Sequence, residues 1–144
     1  MISIAQLLFL VNKPALTNAE LHFIAEGFTL QSDCDGSYLW VRPLANDRAE
    51  VVSLTRLEGM PNSVTYLFSS EEICHRIKEE AIVNFDFKLV EDEEECIMST
   101  EELVMILKEH EFPRFKLYSL KILNRSKERE VKSIQVVLLP PSTG

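Results

Sequence analysis

The chain reads as an α+β fold: a single domain, residues 1–144, in which an antiparallel sheet (an N-terminal meander plus a C-terminal hairpin) packs with three to four short helices. Three observations predict this. The hydrophobic period changes from helical to alternating at Phe28. The alternating segments that follow are joined by connections too short for a parallel crossover. The length of 144 residues matches one domain and buries roughly two-thirds of the surface that the unfolded chain exposes.

Ile2 to Asn12 is apolar and predicts a short buried helix, ended by Lys13-Pro14. It has no basic residue before it and no small-residue cleavage pattern after it, so it does not read as a signal peptide. At about ten residues it is half the length needed to cross a bilayer. Thr17 with Glu20 forms a capping box, Leu16 can staple against Leu21, and Gly27 supplies a stop. A helix from Asn18 to Glu26 is expected, with Leu21, Ile24 and Ala25 inward.

Phe28 to Asp33 and Tyr38 to Leu44 flank Asp35-Gly36, which suits a type I′ hairpin because both central residues take positive φ. A two-residue loop sets Leu30 opposite Val41 and Gln31 opposite Trp40, with Ser32 facing Leu39 and Asp33 facing Tyr38. One face then carries Phe28, Leu30, Leu39 and Val41. The other carries Trp40, Tyr38, Arg42, Thr29 and Gln31, the mixed composition of a contact surface, unless a helix covers it. Asp33-Cys34-Asp35-Gly36 imitates the start of a calcium loop, but Leu39, Val41 and Leu44 stand where oxygen ligands belong. Strands at Glu50 to Glu58 and Ser63 to Phe68, parted by Gly59-Met60-Pro61-Asn62, complete a four-stranded meander.

Ser69-Ser70-Glu71-Glu72-Ile73 resembles Ser99-Thr100-Glu101-Glu102-Leu103 thirty residues on. Each copy offers a Ser-x-x-Glu capping box, so a second stapled helix is expected from Ser99 to Glu111. That gives a weak strand-helix-strand pseudo-repeat over 63–90 and 94–123. Phe115 to Leu123 and Val131 to Leu139 form the closing hairpin, stopped by Pro140-Pro141.

The formal net charge is −8, and Asp86 to Glu111 holds ten acids against Lys88 and Lys108, so that one stretch equals the charge of the whole protein. Such a balance opposes direct nucleic-acid or anionic-membrane binding and favours a basic protein partner. Cys34, Cys74 and Cys96 make an odd count without metal-ligand spacing, which suits a reduced, cytoplasmic protein with no metal. His22, His75 and His110 show no spacing to a carboxylate or serine that identifies a triad, and glycine, four in all, is too scarce for a phosphate-cradling loop. The residues therefore point away from an enzyme and call for no cofactor.

Glu91, Asp92, Glu93, Glu94 and Glu95 form one acidic run pinned between apolar residues. They are the candidate steering charges of a protein-binding module, with Trp40 and Tyr38 as candidate apolar anchors. The expected function is an inhibitor of the immunity or antitoxin kind acting on a basic, nucleic-acid-acting protein. The alternatives are a secretion-chaperone-like binder of an extended polypeptide and a subunit of a larger assembly, with a homodimer left open. From Phe112 onward seven bases meet two acids, so the closing hairpin is the expected source of neutralisation for the acidic run.

Overall fold

Ser3 opens the first helix. Its Oγ accepts from Gln6 N at 3.2 Å while Ser3 N donates to Gln6 Oε1 at 2.8 Å, a reciprocal cap that starts α1, Ile4–Asn12. In the computed structural model the residues described are 2–12, 23–45 and 48–125. The expected cap at Thr17 and the strand at Val131 to Leu139 lie outside them. Of the second expected helix, only its end at 23–25 is described, and there Phe23 is buried whereas Ile24 and Ala25 face outward.

Eight strands follow: β1 Thr29–Cys34, β2 Ser37–Pro43, β3 Ala49–Thr55, β4 Asn62–Phe68, then α2 Glu71–Asn84, then β5 Lys88–Asp92, β6 Glu95–Ser99, β7 Leu103–Glu111 and β8 Lys116–Asn124. They form one sheet in the order β1-β2-β3-β4-β8-β7-β6-β5, antiparallel at every pairing. The expected α+β fold and its N-terminal meander are both present. β8 does not close on the chain's end within the described residues; it joins the two meanders by pairing with β4 and β7.

The segment Ser99 to Glu111 is not the expected helix: Ser99 ends β6, residues 100–102 turn the chain, and Leu103–Glu111 is a strand. Thr100 Oγ1 accepts from Leu103 N at 3.1 Å, the bond of a helix cap, yet Thr100 N also donates to Leu103 O and closes a tight β6–β7 turn. Leu103-Val104-Met105-Ile106-Leu107 then takes the strand alternation, with Met105 and Leu107 buried and its neighbours half-buried. Pairing on both edges outweighs a good local cap. The pseudo-repeat over 63–90 and 94–123 falls with it, because the first span is strand-helix-strand and the second is three strands.

A different repeat is built into the backbone. Gly27 and Asp86 both take positive φ, +90 and +57 degrees, just after a helix. Each is followed by a buried phenylalanine, Phe28 or Phe87, whose N donates back into that helix, to Phe23 O or Ala81 O. Each then opens a strand with a bulge after its leucine, between Leu30 and Ser32 or between Leu89 and Glu91. The matched pairs Gly27/Asp86, Phe28/Phe87, Leu30/Leu89 and Asp33/Asp92 all stand 59 residues apart. The sheet is thus two bulged four-stranded meanders meeting at β4 and β8.

The bulge also decides the hairpin register. Asp33↔Tyr38 and Ser32↔Leu39 pair as expected, but Leu30 lies opposite Trp40 and Thr29 opposite Val41. Helices occupy the Trp40 side of the sheet, so the core face is the one carrying Trp40, Tyr66, Phe68, Tyr118, Leu120 and Ile122. α1 lies over the central strands, where the cross-strand pair Asn62 and Asn124 holds its end. Asn62 Nδ2 donates to Val11 O at 3.3 Å and Asn124 Nδ2 to Asn12 Oδ1 at 2.7 Å. The opposite face of the sheet is covered by no described element.

Candidate functional site

The acidic run is a hairpin. β5 and β6 meet at Glu93-Glu94, at the edge of the sheet, with Asp92 paired to Cys96 and Glu95 to Lys108. Glu91, Asp92, Glu93 and Glu94 are exposed and Glu95 half-buried. Two lysines answer them: Lys78 Nζ lies 3.6 Å from Asp92 Oδ1, and Lys108 Nζ lies 3.7 Å from Glu95 Oε1. Those cations come from α2 and β7. The basic C-terminal stretch expected to neutralise the run supplies neither; its Lys116 pairs with Glu109 at 3.1 Å instead. Glu91, Glu93 and Glu94 form no salt bridge among the described residues.

Ser70 sets α2 against this hairpin. Its side chain accepts from Ile73 N at 3.3 Å, one residue later than the expected box, and Glu71 and Glu72 fall in the first turn, where the helix dipole favours them. Ile77 and Ala81 are buried, which turns His75 and Lys78 toward the hairpin side. A cavity of about 170 Å³ lies between them, lined by Cys74, His75 and Lys78 from α2, Asp92 to Glu94 from the hairpin tip, and Cys96 and Tyr118 from the sheet.

Both thiols in this cavity are raised above the usual cysteine range, chiefly because burial disfavours the thiolate; Lys78 opposes that rise at each. They are therefore protonated at neutral pH and poor nucleophiles. His75 is solvent-exposed and 3.7 Å from Glu71 on its own helix. Among the described residues, no group of three or more His, Cys, Asp or Glu is placed to hold a metal ion. What the site offers is fixed negative charge beside a shallow polar cleft.

The expected apolar anchors are elsewhere. Trp40 is 1% exposed, its ring 4.9 Å from Phe23 and stacked on Tyr38 at 6.0 Å. Its position on the helix-covered face removes it from any contact surface, and Tyr38 is half-buried beside it on β2, in the half of the sheet away from the acidic hairpin. The exposed aromatics at the hairpin's end of the sheet are Phe112 and Phe115. Both are 45% exposed, and they stack at 4.8 Å across the Pro113-Arg114 turn between β7 and β8. The turn itself, Phe112-Pro113-Arg114-Phe115 between two alternating segments, was the signal available for it.

No known protein family, curated protein or solved structure matches this chain. The functional reading rests on the geometry alone. No described helix is long and apolar enough to cross a membrane. One further polar contact lies on the uncovered face: His110 Nε2 sits 2.9 Å from Ser119 Oγ. That is nucleophile-to-base distance, yet no carboxylate is hydrogen-bonded to the ring among the described residues, and neither Ser119 nor His110 lines the cleft.

Proposed function

We propose that this protein is a protein-binding module whose β5–β6 hairpin engages a basic protein, in the manner of an immunity or antitoxin inhibitor that occupies a cationic cleft. One observation carries the reading: five acids stand on a hairpin fixed at the sheet edge, and among the described residues only Asp92 and Glu95 are answered by lysines. Uncompensated charge on a rigid element steers an oppositely charged partner and raises association rates by about 10 to 1,000-fold at low salt. Phe112 and Phe115 take the anchor role first assigned to Trp40 and Tyr38, since they are exposed at the same end of the sheet. A compartment free of strong oxidants, the cytoplasm, suits three unpaired cysteines.

The test is co-purification from the native cell at low and at moderate salt, with the retained protein identified and its charge determined. A basic partner that is lost on raising salt, and lost from a Glu91→Gln/Glu93→Gln/Glu94→Gln variant, is the expected result. A retained partner that is acidic, or one indifferent to both changes, sinks the reading. The secretion-chaperone-like alternative is favoured by a separate observation, the half-buried apolar residues on the uncovered sheet face, and it predicts capture that is insensitive to salt.

A further inference from the structure

The uncovered face of the sheet is the largest feature that the acidic hairpin leaves unexplained. Odd-numbered positions of β3, β4 and β8 point to it, as do even-numbered positions of β7, and the rows across the strands follow from the register. One row runs Ser32, Leu39, Ser53, Thr65, Lys121, Ile106, Ile97 and Glu91. The next carries Thr29, Val41, Val51, Leu67, Ser119, Lys108 and Glu95. Val41, Val51 and Leu67 make one half-buried apolar cluster, and Ile97, Ile106 and Val104 another.

The two halves differ in charge. On β1 to β4 the residues on this face are serine, threonine, cysteine, alanine, proline and aliphatics, without one ionisable carboxylate or amine, in a chain that is 26% charged. On β5 to β8 the charges are Lys88, Glu91, Glu95, Lys108 and Lys121, plus His110. Glu95 and Lys108 answer each other, and Lys121 is exposed near the centre of the sheet.

We infer that this face packs against the same face of a second copy of this chain, with β1–β4 of one copy over β5–β8 of the other. The area suffices: eight strands about 4.8 Å apart and some 20 Å long present about 700 Å², close to the roughly 800 Å² per partner of a stable interface. Small hydroxyl residues alternating with Val, Leu and Ile suit two sheets packed about 10 Å apart. Charge selects the arrangement. Like half on like half sets Lys121 near the partner's Lys121, whereas unlike halves set each Lys121 over the hydroxyls of Ser53 and Thr65. The acidic hairpins then lie at opposite ends of the assembly, so their mutual repulsion is small beyond a Debye length of about 8 Å. This inference does not rest on the basic-partner reading: Glu91 and Glu95 lie at the far margin of the same face, but the apolar and hydroxyl rows that carry it belong to β1 to β4.

The test is the mass of the full chain by sedimentation equilibrium from about 1 to 100 μM, a range chosen to span a micromolar Kd. The expected result is a species of twice the 16.5 kDa chain mass. Val51→Asp, which sets a carboxylate in the apolar cluster, and Ser53→Glu, a milder change at a polar position, should each weaken association by about 100-fold or more. Circular dichroism identifies any variant that fails to fold. Val83→Asp, on the 69% exposed outer face of α2, should leave the dimer intact. A monomer throughout overturns the inference and leaves the chain's own residues or a different protein as the cover. A dimer that survives both Val51→Asp and Ser53→Glu, or that Val83→Asp abolishes, overturns it too.

Discussion

Glu50 is the carboxylate whose removal the structure prices most clearly. It is 5% exposed, on the helix-covered face of β3, and both of its oxygens are engaged. Arg42 Nη2 donates to Oε1 at 2.6 Å and the Tyr66 hydroxyl donates to Oε2 at 2.8 Å. Arg42 in turn donates through Nη1 to Glu26 O at 3.2 Å and lies 5.2 Å from the centre of the Phe28 ring. Glu50→Ala leaves a largely buried guanidinium without its counter-ion and a buried hydroxyl without its acceptor, a loss of about 3–5 kcal/mol. With a urea m-value of about 2 kcal/mol/M, the midpoint should fall by roughly 1.5–2.5 M at unchanged m. Glu50→Gln keeps one acceptor oxygen for the Arg42 guanidinium, while its amide nitrogen can only donate to the Tyr66 hydroxyl, so it should lose less, about 1–3 kcal/mol. The double variant Arg42→Met/Glu50→Leu removes both charges and should recover most of the Glu50→Ala loss. A Glu50→Ala midpoint within about 0.5 M of the parent, or no recovery in the double variant, would refute the account of a mutually dependent buried pair.

Tyr66 is held far above the ordinary tyrosine range, first by burial and then by the Glu50 carboxylate. A folded-state pKa above the unfolded value leaves stability untouched below about pH 10 and loses it as pH rises further. The slope is about 1.4 kcal/mol per pH unit for this one group. Tyr66→Phe should flatten that alkaline loss while reducing stability at neutral pH by about 1.5–3 kcal/mol, the value of a bond to a charged group; urea titrations from pH 8 to 11 check both. Gly36→Ala should be severely destabilising, because the residue has φ +88 degrees and an added Cβ meets the Arg56 carbonyl oxygen. Asp86→Gly, at φ +57 degrees, should instead stabilise by about 0.5–1 kcal/mol in the same assay. Of the three thiols, exposed Cys34 should react quickly with a disulfide reagent at pH 7.5 and Cys74 and Cys96 slowly; equal rates would contradict the burial that raises both.

The N-terminal meander was legible because Asp35-Gly36 and the alternation around it are local signals, and α2 because its cap and apolar spacing agree. β7 was not. Ser99-Thr100-Glu101-Glu102 specifies a cap geometry that serves a tight turn equally well, and only the partners β6 and β8 decide which. Trp40 was misplaced as an anchor for a related reason. Alternation assigns residues to two faces but does not say which face the helices cover, and the bulge after Leu30 breaks the parity used to group that leucine with Val41. The destination of Lys78 and Lys108 was equally hidden, since ion pairs between α2, β7 and the hairpin depend on packing and not on spacing along the chain.

The repeat 59 residues apart bears on what the acidic run is for. β1–β2 and β5–β6 are the same device: a positive-φ residue, a buried phenylalanine, a bulge after a leucine, and an aspartate, Asp33 or Asp92, near the tip. The first closes through Asp35-Gly36 with no run of charge, so the architecture itself does not need one. In the second, a tip of Glu93-Glu94 flanked by Asp92 and Glu95 adds like-charge repulsion that two lysines only partly offset. The first hairpin closes without such a run, so the shared architecture gives no structural reason for the five acids of the second, which supports the proposed role in partner binding. Replacing Glu93 and Glu94 together by Gln, which removes like charge at the tip and leaves the turn's backbone as it is, should therefore raise stability by roughly 0.2–1 kcal/mol. If the acids serve partner capture, the same change should also weaken salt-sensitive association. A variant that is destabilised instead would place the acids in the structural framework and remove the reason for assigning them to a partner.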